Sequence, residues 1–338
     1  NLDAPEFTFK AVAGRNTDGY QCSIPVKKPD YGEAVANFGK IESDTKDKEI
    51  REQVVVPDNS IRQYDRLEMS LSSSSVLDVK QNFDYLRSYP YGCLEQKISR
   101  TAPMLKWQFL QENGITELQQ KMADKEVMKL LKTISNYQHR SGGFKYYPDS
   151  YYPSPYLTCY TAEFLFESKK RGYAVDNKIL KKLRTYLKKT CNKTIDSQYP
   201  YSGNISFLLQ SYALFALTKD QIFMKDTANN LYEVRDRIPL EGIVYLVRAL
   251  DKTDDLPEYM QAKMTRILLN KMKTEATRIH FENHEDRYWW TVHGSSIKTT
   301  AIVLQSLLEV YGKFPYAEKI ARWLSETKRQ RRYLSTQD

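Results

Sequence analysis

Long apolar runs are absent from the 338 residues of this chain. No stretch of eighteen or more apolar residues occurs, so we expect no membrane-spanning helix and no membrane contact within these residues. The first five residues, Asn1 to Pro5, also lack the basic start and apolar core of a secretion signal. A cytosolic protein, a mature secreted form and an excised piece of a secreted protein all remain open.

Cysteine is scarce as well. The four cysteines are Cys22, Cys93, Cys159 and Cys191. They are too few for a disulfide framework, and they lack the close pairing of a zinc site. A bridge between Cys159 and Cys191 remains open. We expect no cofactor and no bound metal.

The net charge of +9 arises from basic residues spread along the chain. The one dense basic cluster is Lys328-Arg329-Gln330-Arg331-Arg332. No recognisable nucleic-acid motif accompanies it, so we interpret the cluster as solvated surface and expect no nucleic-acid partner.

Residues 1–74 have the pattern of β-strands. Polar and apolar side chains alternate with a period of two at Phe7–Val12, Tyr20–Ile24 and Arg66–Leu71. A short β-branched run at residues 54–56 is stopped by Pro57. These residues predict a small β-strand segment without a large core.

Residues 75–338 are predicted to be mainly helical. Ser75 can cap a helix from Val76 to about Arg87, with apolar side chains on one face. The further predicted helices are Cys93–Glu112, Ile115–Tyr137, Leu157–Arg171, Asn177–Lys189, Ile205–Leu217, Leu240–Leu250, Pro257–Lys273, Ser296–Tyr311 and Ala317–Lys328.

Aromatic loops recur in this helical part about every fifty residues, a spacing that fits two helices with their loops. Gly142-Gly143-Phe144, Tyr199-Pro200-Tyr201 and Tyr288-Trp289-Trp290 each precede a helix that mixes small residues with bulky ones. Small residues let helices approach closely, and an aromatic loop can plug the mouth of a helical ring. We therefore predict an α/α toroid with alternating inner and outer helices.

Cys93 and Gln96 lie three residues apart at the predicted start of a helix, so their side chains share a face. This spacing lets a cysteine thiolate attack the glutamine amide carbon, expel ammonia and close a thiolactone ring. The helix N-terminus is expected to favour the thiolate over the thiol. A bare Cys-x-x-Gln pattern occurs often by chance, so the flanking residues decide its meaning.

The flanks, Tyr89-Pro90-Tyr91-Gly92-Cys93-Leu94-Glu95-Gln96 followed by Ser99-Arg100, resemble the thioester signature of the alpha-2-macroglobulin and complement family. Leu94 resembles the bacterial branch, since animal members usually carry glycine there. Further family landmarks follow in the same order. They are Gly142-Gly143-Phe144, Tyr156-Leu157-Thr158-Cys159-Tyr160, Lys298-Thr299-Thr300-Ala301 and Ser335-Thr336-Gln337-Asp338.

The resemblance covers roughly Val76 to Asp338 and implies a thioester domain, possibly incomplete, inserted into a CUB-like or macroglobulin-type β region that includes residues 1–74. It implies a piece of a larger bacterial protease inhibitor, whose location would be the periplasm with a membrane-anchored parent. Such a protein is a covalent trap used once rather than an enzyme. Its partners would be proteases, acylated on lysine amines, and the other domains of the parent.

Four residues are expected to support the thioester. Tyr89 and Tyr91 are placed to keep water away from it, as aromatic residues do in the family, although they also suit simple packing at a helix entry. Gly92 gives the turn room for a close backbone approach. Glu95 can assist proton transfer, and it also suits the helix dipole as a first-turn acid, which is the interpretation we favour.

Some complement members use a histidine about a hundred residues beyond the cysteine, and here residues 182–204 contain none. The resemblance therefore implies direct attack by amines, with slow transfer to hydroxyl groups. His280, Glu282 and His284 would share one side of a strand and offer a metal set, but a polar loop is the interpretation we favour.

Two other functions remain open on the sequence. One is a toroid binding module whose thioester is hydrolysed. The other is a toroid enzyme such as a terpenoid cyclase, a prenyltransferase or a glycosidase. No Asp-x-Asp-Asp motif of the kind cyclases need is found, and Asp254-Asp255 alone is too little.

Overall fold

The computed structural model describes residues 4–24, 51, 53, 55, 77–193, 203–253, 256–282, 289–330 and 335–337. The chain divides into two compact units, Asn1–Val54 and Val55–Asp338. The predicted helix cap Ser75 and the strand pattern at 66–71 lie outside the described residues, as do residues 54, 56 and 57.

The first unit contains a hairpin of two antiparallel strands, β1 (Glu6–Ala13) and β2 (Asn16–Ser23). Gly14 lies in the connecting turn with φ of +63°, a conformation that glycine adopts without steric cost. The predicted strands at residues 7–12 and 20–24 are confirmed. β2 begins earlier than predicted because its pairing with β1 continues to the turn.

The second unit is helical. Its α-helices are α1 (Leu77–Ser88), α2 (Leu94–Thr101), α3 (Trp107–Glu112), α4 (Gln120–Thr133), α5 (Pro155–Lys170), α6 (Asn177–Cys191), α7 (Asn204–Thr218), α8 (Lys225–Glu233), α9 (Leu240–Leu250), α10 (Glu258–Leu269), α11 (Ser296–Tyr311) and α12 (Ala317–Gln330). Short 3₁₀ helices are found at Ala102–Lys106, Ile134–Tyr137, Arg235–Arg237 and Trp289–Val292. A small antiparallel pair, β3 (Met272–Thr274) and β4 (Ile279–Phe281), packs against α11 and α12.

The helices form an inner and an outer set. The inner helices α2, α5, α7, α9 and α11 pack against one another in that order. Each contacts an outer helix, and the outer helices in chain order are α4, α6, α8, α10 and α12. This alternation is the α/α toroid that the sequence predicts.

The hydrophobic patterns of α6 and α7 explain their places. Side chains are buried around nearly the whole circumference of α7, which packs against α5, α6, α8 and α9. In α6 the buried residues recur with helical spacing, and lysines occupy the exposed face. The apolar helix α7 therefore belongs to the inner set, and the amphipathic helix α6 covers it from outside.

Helix boundaries differ from the predictions in several places. The helix predicted at Ile115–Tyr137 begins only at Gln120, and its last four residues, Ile134–Tyr137, form a 3₁₀ helix. The predicted helix at residues 93–112 is broken by a 3₁₀ segment, where Pro103 cannot donate a backbone hydrogen bond. Helix α8 was not predicted, because it is short and buries only Thr227, Ala228 and Leu231. Helix α10 ends before Met272 because the following residues pair as a strand.

The buried cysteines of the toroid are free thiols. Cys159 and Cys191 form no disulfide, so the bridge that the sequence left open is not present. Burial raises the pKa of both thiols, that of Cys191 to about 12. Among the described residues, no helix is long and apolar enough to cross a lipid bilayer.

Candidate thioester site

Cys93 is the N-cap residue of α2. Its backbone is extended, with φ of −67° and ψ of 165°, and the helix begins at Leu94. The Leu94 N–H donates to the carbonyl oxygen of Tyr146 at 2.9 Å, which joins the start of the helix to the loop after Gly142-Gly143. This position buries Cys93, which is only 6% exposed.

Gln96 folds back onto Cys93. The Cys93 N–H donates to Oε1 of Gln96 at 3.1 Å, and the Gln96 N–H points toward the cysteine side chain in a capping box. The amide oxygen that would gain negative charge during thiol attack therefore already accepts a hydrogen bond from a backbone N–H. The structure thus brings Cys93 and Gln96 together at one helix end.

The pKa of the Cys93 thiol is raised, chiefly by burial. The N–H groups of Gln96 and Glu95 and the Lys97 ammonium act in the opposite direction, while the Glu95 carboxylate adds to the rise. The sequence favoured the thiolate because of the helix N-terminus. In the structure, the free-energy cost of removing a charged sulfur from water outweighs that effect.

Tyr89 and Tyr91 contact each other edge to face, with ring centroids 5.5 Å apart. Tyr89 is half-buried and also contacts Tyr85, with ring centroids 5.6 Å apart. Tyr91 is 66% exposed, so most of its ring faces solvent. The pKa of Tyr89 is raised by burial first, and the neighbouring groups Tyr85, Tyr91, Glu95 and Cys93 add to this.

Gly92 does not fill the role that the sequence suggested. Its φ is not positive, and among the described residues a Cβ placed on it would meet only Cε of Lys97 at 3.5 Å, an ordinary van der Waals distance. The space that was expected to require glycine is therefore open to a small side chain.

Glu95 lies at the centre of a buried hydrogen-bond network. It is 2% exposed, and its carboxylate accepts from Ser99 Oγ at 2.7 Å, Thr336 Oγ1 at 2.9 Å and Gln337 Nε2 at 2.6 Å. The landmark residues Thr336 and Gln337 therefore bind the first turn of α2 from a point 241 residues further along the chain. The sequence analysis favoured a first-turn acid that complements the helix dipole, and it did not predict this network around Glu95.

The sequence analysis assigned neither His293 nor Tyr146 to the thioester site. Tyr146, whose carbonyl oxygen binds Leu94, has its hydroxyl 2.8 Å from Nε2 of His293. His293 adopts φ of +49° in the short connection before α11, and its ring lies 5.6 Å from that of Tyr156. Burial lowers the pKa of His293, against an opposing effect of Glu95. No spacing in the sequence links residues so far apart.

The described residues do not form the metal site that the sequence analysis considered for residues 280–284. His280 stacks on Trp323 with ring centroids 4.7 Å apart, and its Nε2 lies 3.7 Å from Oε1 of Glu282. The described residues contain no group of three side chains suited to a metal ion. His284 lies outside them.

The known proteins that are similar to this chain include bacterial alpha-2-macroglobulins. Residues 65–199 match the family model of the A-macroglobulin TED domain. The alpha-2-macroglobulin of Escherichia coli strain K12 is 27% identical over 282 residues, which is 80% of this chain and 16% of that protein. The alpha-2-macroglobulin of Rickettsia conorii is 27% identical over 176 residues, covering 52% of this chain and 9% of that protein. The chain is therefore similar to bacterial alpha-2-macroglobulins over most of its length, and residues 65–199 resemble their TED domain.

Solved alpha-2-macroglobulins share the fold. The crystal structure of the Salmonella protein reacted with methylamine has a TM-score of 0.67 and 26% identity, over 78% of this chain and 17% of that one. The structure of the native Escherichia coli protein has a TM-score of 0.66 and 25% identity, and the match covers 77% of this chain and 16% of that one. The chain thus spans less than a fifth of the length of these alpha-2-macroglobulins. The family consists of protease inhibitors rather than catalytic enzymes.

Proposed function

We propose that Cys93 and Gln96 form an internal thioester that acylates amines. The observation that carries this proposal is the 3.1 Å hydrogen bond from the Cys93 N–H to Oε1 of Gln96 in a buried capping box. In the forming step the Cys93 sulfur attacks Cδ of Gln96, and a C–S bond replaces the C–N bond. The nitrogen leaves as ammonia with the thiol proton.

The buried position of Cys93 supports the same proposal. A thioester in contact with water hydrolyses, so an acyl group held for later use needs a dry environment. Cys93 is 6% exposed, and the half-buried ring of Tyr89 lies in the segment that leads to it. We infer that Tyr89 shields the thioester, while Tyr91 contributes less because it faces solvent.

The proposed biological role is the covalent trapping of proteases by a bacterial alpha-2-macroglobulin-like inhibitor. Relatives support it, since Escherichia coli alpha-2-macroglobulin has been solved after activation by trypsin and by porcine elastase. The Gln96 carbonyl would be transferred to lysine amines of the protease. We place the parent protein outside the cytoplasm, in the periplasm, with residues 75–338 as the thioester domain and residues 1–74 in a neighbouring β region.

Amines are the proposed acceptors, attacking without a histidine relay. Residues 182–204 contain no histidine, and Nε2 of His293 is engaged by the hydroxyl of Tyr146 at 2.8 Å. We therefore expect methylamine to be coupled far faster than glycerol. Equal rates for the two would contradict this part of the proposal.

Intact mass measured without reductant tests the thioester. We expect a mass one ammonia below that of the sequence, and after methylamine treatment one methylamine adduct with a free Cys93 thiol. Cys93→Ala is the control, and it should show the unmodified mass and no adduct. An unmodified mass for the natural chain, with no uptake of methylamine, would instead favour a toroid binding module without a thioester.

A further inference from the structure

The side chain of Lys97 lies beside Gly92, the residue that precedes the cysteine of the proposed thioester. Lys97 is four residues after Cys93, and its N–H donates to the Cys93 carbonyl oxygen at 3.0 Å. Helical side chains point back toward the N-terminus, so this side chain lies over the preceding turn. Its Cε is 3.5 Å from the position that a Cβ on Gly92 would occupy.

Tyr137 holds the Lys97 ammonium in place. Nζ of Lys97 donates to the Tyr137 hydroxyl at 2.6 Å and lies 5.2 Å from the centre of the ring. Tyr137 ends the 3₁₀ helix after α4 and is 5% exposed, so it is a fixed anchor. A lysine side chain is otherwise free to rotate, and this contact reduces the conformational entropy available to it.

The charged and titratable groups that act on the Cys93 sulfur lie in the first turn of α2 and in the segment just before it. The Glu95 carboxylate opposes ionisation of the thiol, and the Lys97 ammonium favours it. Tyr89, from the segment before α2, also interacts electrostatically with Cys93. Lys97 therefore counteracts both Glu95 and the cost of burial.

We propose that Lys97 is a positioning residue for the thioester, because its anchored ammonium stabilises negative charge on the Cys93 sulfur. The inference rests on the proposed thioester. The sulfur carries this charge when it attacks Gln96, and again when an amine opens the thioester. In the opening step the amine nitrogen bonds to Cδ of Gln96 and the C–S bond breaks. Cys93 leaves as the thiolate, and the amine proton passes to solvent.

Alkylation of Cys93 by iodoacetamide as a function of pH tests the proposal. The chain is first treated with methylamine to open any thioester, and the alkylated cysteines are identified by mass spectrometry. We expect Lys97→Met to slow alkylation of Cys93 roughly three- to tenfold near neutral pH, because less thiolate is present. At alkaline pH, where the thiol is ionised in both proteins, the rates should converge. Lys97→Arg keeps the positive charge, so its Cys93 should be alkylated at nearly the same rate as in the natural chain.

The controls separate electrostatics from folding. Lys219→Met removes another lysine that lies over an aromatic ring, with Nζ 5.0 Å from the centre of the Phe215 ring. This variant should leave the pH profile of Cys93 alkylation unchanged. Cys22 provides an internal reference within every sample. If Lys97→Met does not fold, Tyr137→Phe takes its place and should slow alkylation in the same direction, by a smaller factor.

A pH profile of Lys97→Met that superimposes on that of the natural chain would overturn the proposal, as would an equal shift in Lys219→Met. Because the measurement uses the free thiol, it does not require that a thioester forms. Failure to lose ammonia would therefore count against the proposed function alone.

Discussion

At the residue scale, the Cys93 sulfur is subject to opposing influences. The cost of burying a thiolate raises the pKa of the thiol, while backbone N–H groups and Lys97 lower it. The net result is a thiol that resists ionisation in the resting fold. A thiol in this state reacts slowly unless nearby positive charge favours its thiolate.

The two tyrosines before the cysteine should differ in effect. Tyr89 is half-buried beside Cys93, whereas Tyr91 is 66% exposed. We expect Tyr89→Ala to speed spontaneous hydrolysis of the thioester several-fold, because water gains access to it. Tyr91→Ala should change the rate less. The appearance of free Cys93 thiol with time at neutral pH measures both, and a larger effect at Tyr91 would contradict this assignment.

At the scale of elements, the loop after Gly142 fixes the start of α2, since its Tyr146 carbonyl accepts from the Leu94 N–H. The loop itself is held by isolated bridges from Phe144 to Gln138 and to Ser154. Phe144 is completely buried, and its N–H donates to Thr158 Oγ1 at 2.8 Å. Helix α2, whose N-terminus carries the proposed thioester, therefore depends on a loop that is packed on α5.

Substitution by alanine should affect stability differently at Gly143, in the loop before α5, and at Gly92, just before α2. A Cβ on Gly143 would lie 2.6 Å from Cε2 of Tyr186 and 2.7 Å from Cβ of Pro153. We expect Gly143→Ala to lower the free energy of unfolding by about 2 kcal/mol, because the loop must move. Gly92→Ala is the matched control, with an expected change within about 0.5 kcal/mol. Urea unfolding measures both, and similar losses would show that the packing difference does not matter.

At the scale of the whole molecule, the network around Glu95 connects distant parts of the chain. Thr336 and Gln337 bind Glu95, and Gln337 also accepts from the Tyr156 hydroxyl at 2.8 Å. Helices α2 and α5 are therefore joined through a short segment near residue 336. Without that segment, the buried carboxylate would keep the hydrogen bond from Ser99 but lose those from Thr336 and Gln337.

Removing one donor from this network should destabilise the fold. We expect Thr336→Val to lower the free energy of unfolding by about 1–2 kcal/mol, because Glu95 loses a buried partner while the side-chain volume is kept. Thr185→Val is the control, since Thr185 is exposed and its hydroxyl donates to the Lys181 carbonyl oxygen within its own helix. The two variants would be compared by urea unfolding. Equal stabilities would show that Thr336 contributes nothing through Glu95.

Much of the architecture could be predicted from the sequence, because helical periodicity is local. The bounds of α9 and α11 follow from the spacing of their apolar residues. Helix α8 was missed because its few buried positions leave a weak pattern. The partners of Glu95 and His293 could not be predicted, because contacts between residues that far apart depend on how the ring closes around them.

The pairing of Cys93 with Gln96 was determined by the sequence alone, since residues three apart at a helix start share a face whatever surrounds them. The family resemblance rested on this motif and on further short motifs that follow it in the same order. Only the tertiary structure decided how readily the Cys93 thiol ionises. Desolvation and the placement of Glu95, Lys97 and Tyr137 depend on packing between separate helices, which no local spacing encodes.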